Sequence, residues 1–128
     1  MRNLALAIGL AVALCTTSLA TTSAAQAQAM SVEQFLASAA RIPRNPTALL
    51  HPATRRLIGE VRGSFKTLGD QQRAAVVAGQ RPVTCIPERV SVSPEDVLNR
   101  MNAIHASRRS ISVTQALREW MIERYPCR

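Results

Sequence analysis

From residue 31 onward, apolar residues recur three and four positions apart between hydroxyl-bearing starts and proline or glycine stops, and no stretch alternates as a strand over more than a few residues. A chain patterned this way buries its apolar stripes by packing helix on helix. The sequence therefore predicts an all-α fold, a small bundle of four to five short helices.

The starts and stops can be read one by one. Ser31-Val32-Glu33-Gln34 has the form of a capping box, in which the Ser31 hydroxyl and the Gln34 amide satisfy free N–H groups at a helix start. The first helix should run to about Ala40 with Val32, Phe35, Leu36 and Ala39 on its buried face, and Pro43 and Pro46 turn the chain that follows into an ordered non-helical linker. A second helix should begin near Pro52 and carry Leu57, Val61, Phe65 and Leu68 as one stripe, with Ile58 beside it. Gly59 and Gly63 lie four residues apart on this helix. Each costs about 1 kcal/mol relative to alanine, so the expectation is a packing role, with another helix crossing closely there.

Gly69-Asp70 is expected to kink or break the element before Gln71 to Ala78, and Gly79 to cap it, with a loop from Arg81-Pro82 running through Cys85 and Pro87. Ser93-Pro94-Glu95-Asp96 starts a third helix, whose stripe is Val97, Leu98, Met101 and Ile104. After a polar turn from His105 to Ser110, Ser112-Val113-Thr114-Gln115 gives another capping box. The fourth helix then presents Val113, Ala116, Leu117, Trp120 and Met121 at helical spacing, and Pro126 stops it.

The residues before this pattern read as an export signal. Arg2 supplies a positive start, Leu4 to Cys15 an apolar core, and Ala25-Gln26-Ala27 and Ala27-Gln28-Ala29 two small-x-small cleavage sites. A signal peptide over residues 1–29 is expected, with cleavage after Ala29 or, as runner-up, after Ala27. The apolar core is too short for a spanning anchor and is followed by Thr, Ser and Gln. Cys15 follows Leu14, where a lipidation signal has a small residue, so it leaves with the leader. The expected product is a single periplasmic domain, residues 30–128, with no stable membrane anchor.

Cys85 and Cys127 then remain, in an oxidising compartment. One disulfide between them would close a 43-residue loop and restrict the unfolded chain by roughly 4 kcal/mol. A bridge between two chains is the alternative pairing, and a reactive thiol would need a base and an electropositive pocket beside it. Without Arg2, 15 basic residues face 8 acids, and Lys66 is the sole lysine. Such a surface suits acidic protein or anionic envelope components, although arginine in place of lysine also fits a GC-rich coding bias with charge spread over solvated faces. Nucleic acid is excluded as a partner by export and by the scarcity of aromatic residues, since Phe35, Phe65, Trp120 and Tyr125 are too scattered to stack bases.

The chain offers little reactive chemistry. His51 and His105 lie in separate segments without metal-ligand spacing or a thiolate cluster, so neither a metal nor another cofactor is expected. No nucleophile elbow, phosphate loop or dinucleotide fingerprint occurs, and Glu95 with Asp96 is explained by compensation of a helix dipole. The expectation is a protein that is not an enzyme.

Taken together, Gly59-x-x-x-Gly63, Cys85-x-Pro87, a Ser-capped helix, an arginine-bearing turn and the closing Tyr125-Pro126-Cys127 resemble the Rap/Tai family of periplasmic type VI secretion immunity proteins. The likeness covers roughly Leu57 to Cys127, and Gly59, Gly63, Cys85, Pro87, Arg109, Tyr125, Pro126 and Cys127 match the family pattern. Many members carry a further cysteine just before the first glycine, where this chain has Leu57-Ile58, and an aromatic after it, where Glu60 stands. The resemblance implies a small, all-helical protein, often a dimer, that binds a secreted peptidoglycan amidase and blocks its active-site cleft. The turn from His105 to Ser110 is the expected partner-binding surface, with His105, Arg108 and Arg109 approaching an acidic rim on the toxin. Two rival readings come from other classes: a small one-disulfide periplasmic chaperone, and an envelope-associated structural protein.

Overall fold

The computed structural model describes residues 29–128, so the signal peptide expected over residues 1–29 lies, apart from Ala29, outside the described residues. Four α-helices follow one another: α1 Val32–Ala39, α2 Pro52–Val77, α3 Pro94–Ala103 and α4 Val113–Arg124. Among the described residues there is no sheet, only an isolated antiparallel bridge between Ser31 and Ser112. No described helix is long and apolar enough to cross a membrane.

The caps form where local chemistry requires them. Ser31 and Gln34 close a full capping box on α1, and Ser93 and Asp96 close another on α3. The Ser93 backbone N–H, then its hydroxyl, holds the Asp96 carboxyl below the usual carboxylate range. At α4 only half of the box is present: Ser112 accepts from the Gln115 N–H, but the Gln115 side chain turns along its own helix to Glu119 and Arg118. Gly79, at φ +69°, ends α2 in a Schellman motif, with Gln80 N–H donating to Ala75 and Gly79 N–H to Val76. The linker after α1 holds one element the pattern did not predict, a 3₁₀ turn Pro46–Leu50 whose first turn is fixed by the Asn45 side chain accepting from Thr47 N–H.

Gly69-Asp70 does not break α2, which runs unbroken for 26 residues. Asp70 is instead a bracing residue: its carboxylate pairs with Lys66 one turn back and Arg73 one turn on. Leu68, 2% exposed, anchors the same turn in the core.

The core is assembled from all four helices. Val32 and Phe35 enter from α1, Leu57 and Leu68 from α2, Val97 and Met101 from α3, and Val113, Ala116, Leu117 and Met121 from α4. The dominant helix pair is α2 with α4, in contact from Ser64 beside Thr114 to Gln71 beside Arg118. Ser64 is buried, and its hydroxyl is 2.8 Å from that of Thr114, so the polar atoms at this close contact satisfy one another. Arg100 and Glu123 join α3 to α4 by a two-pronged pair, both contacts at 2.9 Å.

The expected helix crossing at Gly59 and Gly63 is not there. Both are exposed, and a Cβ built on either would meet nothing within 4 Å. The reason is angular: at about 100° per residue, Gly59 and Gly63 lie roughly 200° and 240° around the helix from Leu57, away from the buried face. Replacing both by alanine should therefore stabilise the domain by about 1–2 kcal/mol, a rise in Tm of roughly 5–10 °C in thermal unfolding. A fall in Tm would mean that something packs on this face in solution.

Candidate functional site

The surface with the most capacity for recognition is an apolar groove, open to solvent, of about 1520 Å³. It opens along α2, the longest helix, whose main packing partners are α4 and α1. At about 1.5 Å per residue, α2 is roughly 39 Å long, while α1 and α3 reach only about 12 and 15 Å. The middle of the apolar stripe of α2 is left partly uncovered. Leu57 and Leu68 are buried, but Val61 and Phe65 are half-buried and Ile58 is exposed.

The groove has three sides. Leu57, Val61 and Phe65 of α2 form one; Phe35, Leu36 and Ala39 of α1, with Ile42 beyond its end, form the floor. The third combines Val97 and Leu98 of α3 with Ile86, Val90 and Val92 of the preceding loop. Leu49, 74% exposed, stands at the mouth. Charge is distributed unequally around this apolar lining: Arg62, Lys66 and Arg73 on α2, with Arg44 after α1, face a side that carries Glu88 and Glu95.

The loop that supplies the third side is held by a polar clasp. The Gln72 side-chain amide donates to Ile86 O at 3.0 Å and accepts from Ile86 N–H at 2.7 Å, pairing with the loop backbone as a neighbouring strand would. Next to it, Cys85 N–H donates to Tyr125 O at 3.1 Å, and Cys85 is bridged to Cys127 across a sequence separation of 42. The disulfide is therefore within the chain. It fastens both the chain end and one side of the groove to the α2–α4 framework.

The turn singled out from the sequence is held in place by contacts of its own. Arg109 is half-buried, with Nε donating to Ile104 O at 3.0 Å and an Nη to Asn102 O at 3.1 Å, so its guanidinium satisfies carbonyls at the C-terminal end of α3. Its own carbonyl accepts from Glu33 N–H, and Ile111 O accepts from Val32 N–H, so the turn also completes the start of α1. Arg109 is thus a scaffold residue. Arg108 is exposed but paired with Glu119 at 2.9 Å; the Gln115 amide and then Arg108 hold that carboxyl below its usual range. His105 is exposed, with Nδ1 on the Ser107 hydroxyl and backbone N–H. These three residues lie together, and each makes contacts within the chain.

Sequence reasoning missed the groove, although its signal was present in the long stripe of α2 with Ile58 and Phe65 at its margin. Among the described residues, no group of three or more His, Cys, Asp or Glu side chains is arranged to hold a metal ion. No protein-family model matches the chain, and no curated protein or solved structure is significantly similar to it.

Proposed function

We propose that this protein is a non-enzymatic, immunity-type inhibitor that acts in the periplasm by binding a secreted peptidoglycan amidase and occluding its cleft. The observation that carries the reading is the groove: a broad apolar surface, edged by cations and braced by a disulfide, is what a small binding protein offers a larger partner. The resemblance to the Rap/Tai family supplies the class of partner, and its Cys85, Tyr125 and Cys127 belong to the clasp that braces the groove. Affinity in such a complex comes from a few apolar anchors, and orientation from the surrounding charge.

The test is inhibition of purified Cys/His peptidoglycan amidases of the type VI class, including any encoded beside this chain, in a sacculus-digestion assay. Stoichiometric loss of activity of one amidase is the expected result; full activity of all of them at saturating protein overturns the reading. An exposed apolar groove also suits a chaperone, so suppression of aggregation of an unrelated unfolded client is measured in parallel. Client protection without amidase inhibition would favour that second reading.

A further inference from the structure

We infer that the groove between α2 and the side formed by the 86–92 loop and α3 receives an α-helix of the partner, one that carries an apolar stripe flanked by carboxylates on the side facing α2. This deepens the proposed function by naming the docking surface and the chemistry of the segment it takes, and it rests on that reading for the identity of the partner.

Backbone chemistry favours a helix. Two of the three sides are formed largely by helices, whose own N–H and C=O groups are already paired, so an extended peptide would find backbone partners along one side only. A helix brings its backbone bonds with it and needs only an apolar face to match the groove. The dimensions agree, because the lining residues of α2 extend from Thr54 to Arg73, roughly 28 Å along the axis. That length accommodates about five helical turns.

Charge sets the flank. Arg62, Lys66 and Arg73 are spread over about 16 Å of α2, and Arg44 adds a fourth cation. Lys66 and Arg73 share Asp70, whereas Arg62 has no carboxylate within ion-pair distance among the described residues. Glu88 and Glu95, on the opposite side, likewise have no cation within ion-pair distance among the described residues. A bound helix with acids toward α2 and a cation or neutral residue toward Glu88 and Glu95 satisfies both edges, and the reversed arrangement sets like charges together. An anionic lipid carries its charge at one end, which does not match cations strung along the length of a groove.

The experiment uses the oxidised mature chain and three fluorescent probes: a 20-residue amphipathic peptide with a Leu stripe flanked on one side by Glu, the same peptide with Lys for Glu, and phosphatidylglycerol vesicles. The Glu-flanked peptide is expected to bind at least tenfold more tightly than the Lys-flanked one. Arg62→Glu and, separately, Ile58→Asp, both at the groove margin, should each weaken it at least fivefold with unchanged circular dichroism and Tm. Equal binding of the two peptides, no binding of the acidic one at 100-fold excess, or vesicle binding in its place overturns the inference. So does sedimentation showing a dimer that Ile58→Asp dissociates, because a second copy then covers the groove. The amidase assay separates the two proposals: inhibition by the parent chain that both variants retain in full sinks the groove and leaves the immunity reading standing. Acidic-helix binding without any amidase inhibition does the reverse.

Discussion

Replacing Cys85 and Cys127 together by serine should lower the free energy of unfolding by about 4 kcal/mol, the entropy released when a loop of this length is no longer closed in the denatured chain. Domains of this size are stabilised by roughly 5–15 kcal/mol, so the variant would sit close to its unfolding threshold at 37 °C. Denaturant titration of oxidised and serine forms measures the difference directly, and a loss below about 1 kcal/mol would show that the bridge constrains little. The damage should not be spread evenly. Cys85 adjoins Ile86, which Gln72 holds against α2, and Tyr125 O accepts from Cys85 N–H. Releasing the bridge loosens this clasp first, so amide exchange should accelerate at Cys85 and Ile86 before it does in α2. Because the same segment forms one side of the groove, binding should weaken together with stability.

Leu117→Ala is expected to remove about 3 kcal/mol, within the usual range for a buried leucine, and to lower Tm by something like 15 °C. Leu117 is fully buried on α4, among Val113, Ala116 and Met121, and belongs to the same core cluster as Leu68 of α2. A cavity there has α2, the longest helix, as one of its walls, and the small Ser64 contact cannot move to fill it without separating its hydroxyl from Thr114. Ile122, five residues further along the same helix and 38% exposed, provides the control. Ile122→Ala should change stability by no more than about 0.5 kcal/mol. Similar losses at both positions would mean that the core is not centred where the burial pattern puts it.

Much of the secondary structure was legible because its determinants act over one or two turns. Ser31 with Gln34, Ser93 with Asp96, Pro52 and Gly79 each settle a boundary through groups only a few residues apart, and the structure realises all of them. The pairing of Cys85 with Cys127 was one of the options the sequence offered, and the structure has it within the chain. Reading failed where a local signal competed with a contact from elsewhere. Gly69-Asp70 looks like a break when its neighbours are ignored, yet the Lys66–Asp70–Arg73 contacts and buried Leu68 carry the helix through. Gln115 has the right spacing for a capping box and turns instead to Glu119 and Arg118. Nor did anything in the sequence show that the C-terminal end of α3 lies beside Arg109 and accepts from its guanidinium.

The candidate site depends still more on long-range arrangement. Hydrophobic periodicity tells which residues of α2 are apolar and does not tell which of them another element covers. That is decided by the packing of α2 on α4 and α1, by the Ser64–Thr114 contact within it, and by the Gln72 clasp that holds Ile86 to α2.

By itself, the sequence determined an all-α chain and most of the starts and stops of its helices, because caps and prolines act locally; the structure settled that Cys85 and Cys127 pair within the chain. Only the tertiary structure decided that Gly59 and Gly63 face solvent, that Arg109 serves α3, and that Val61, Phe65 and Leu98 border an open groove. Those outcomes follow from which surfaces remain uncovered once the helices have packed, a property of the assembled bundle and of no single segment.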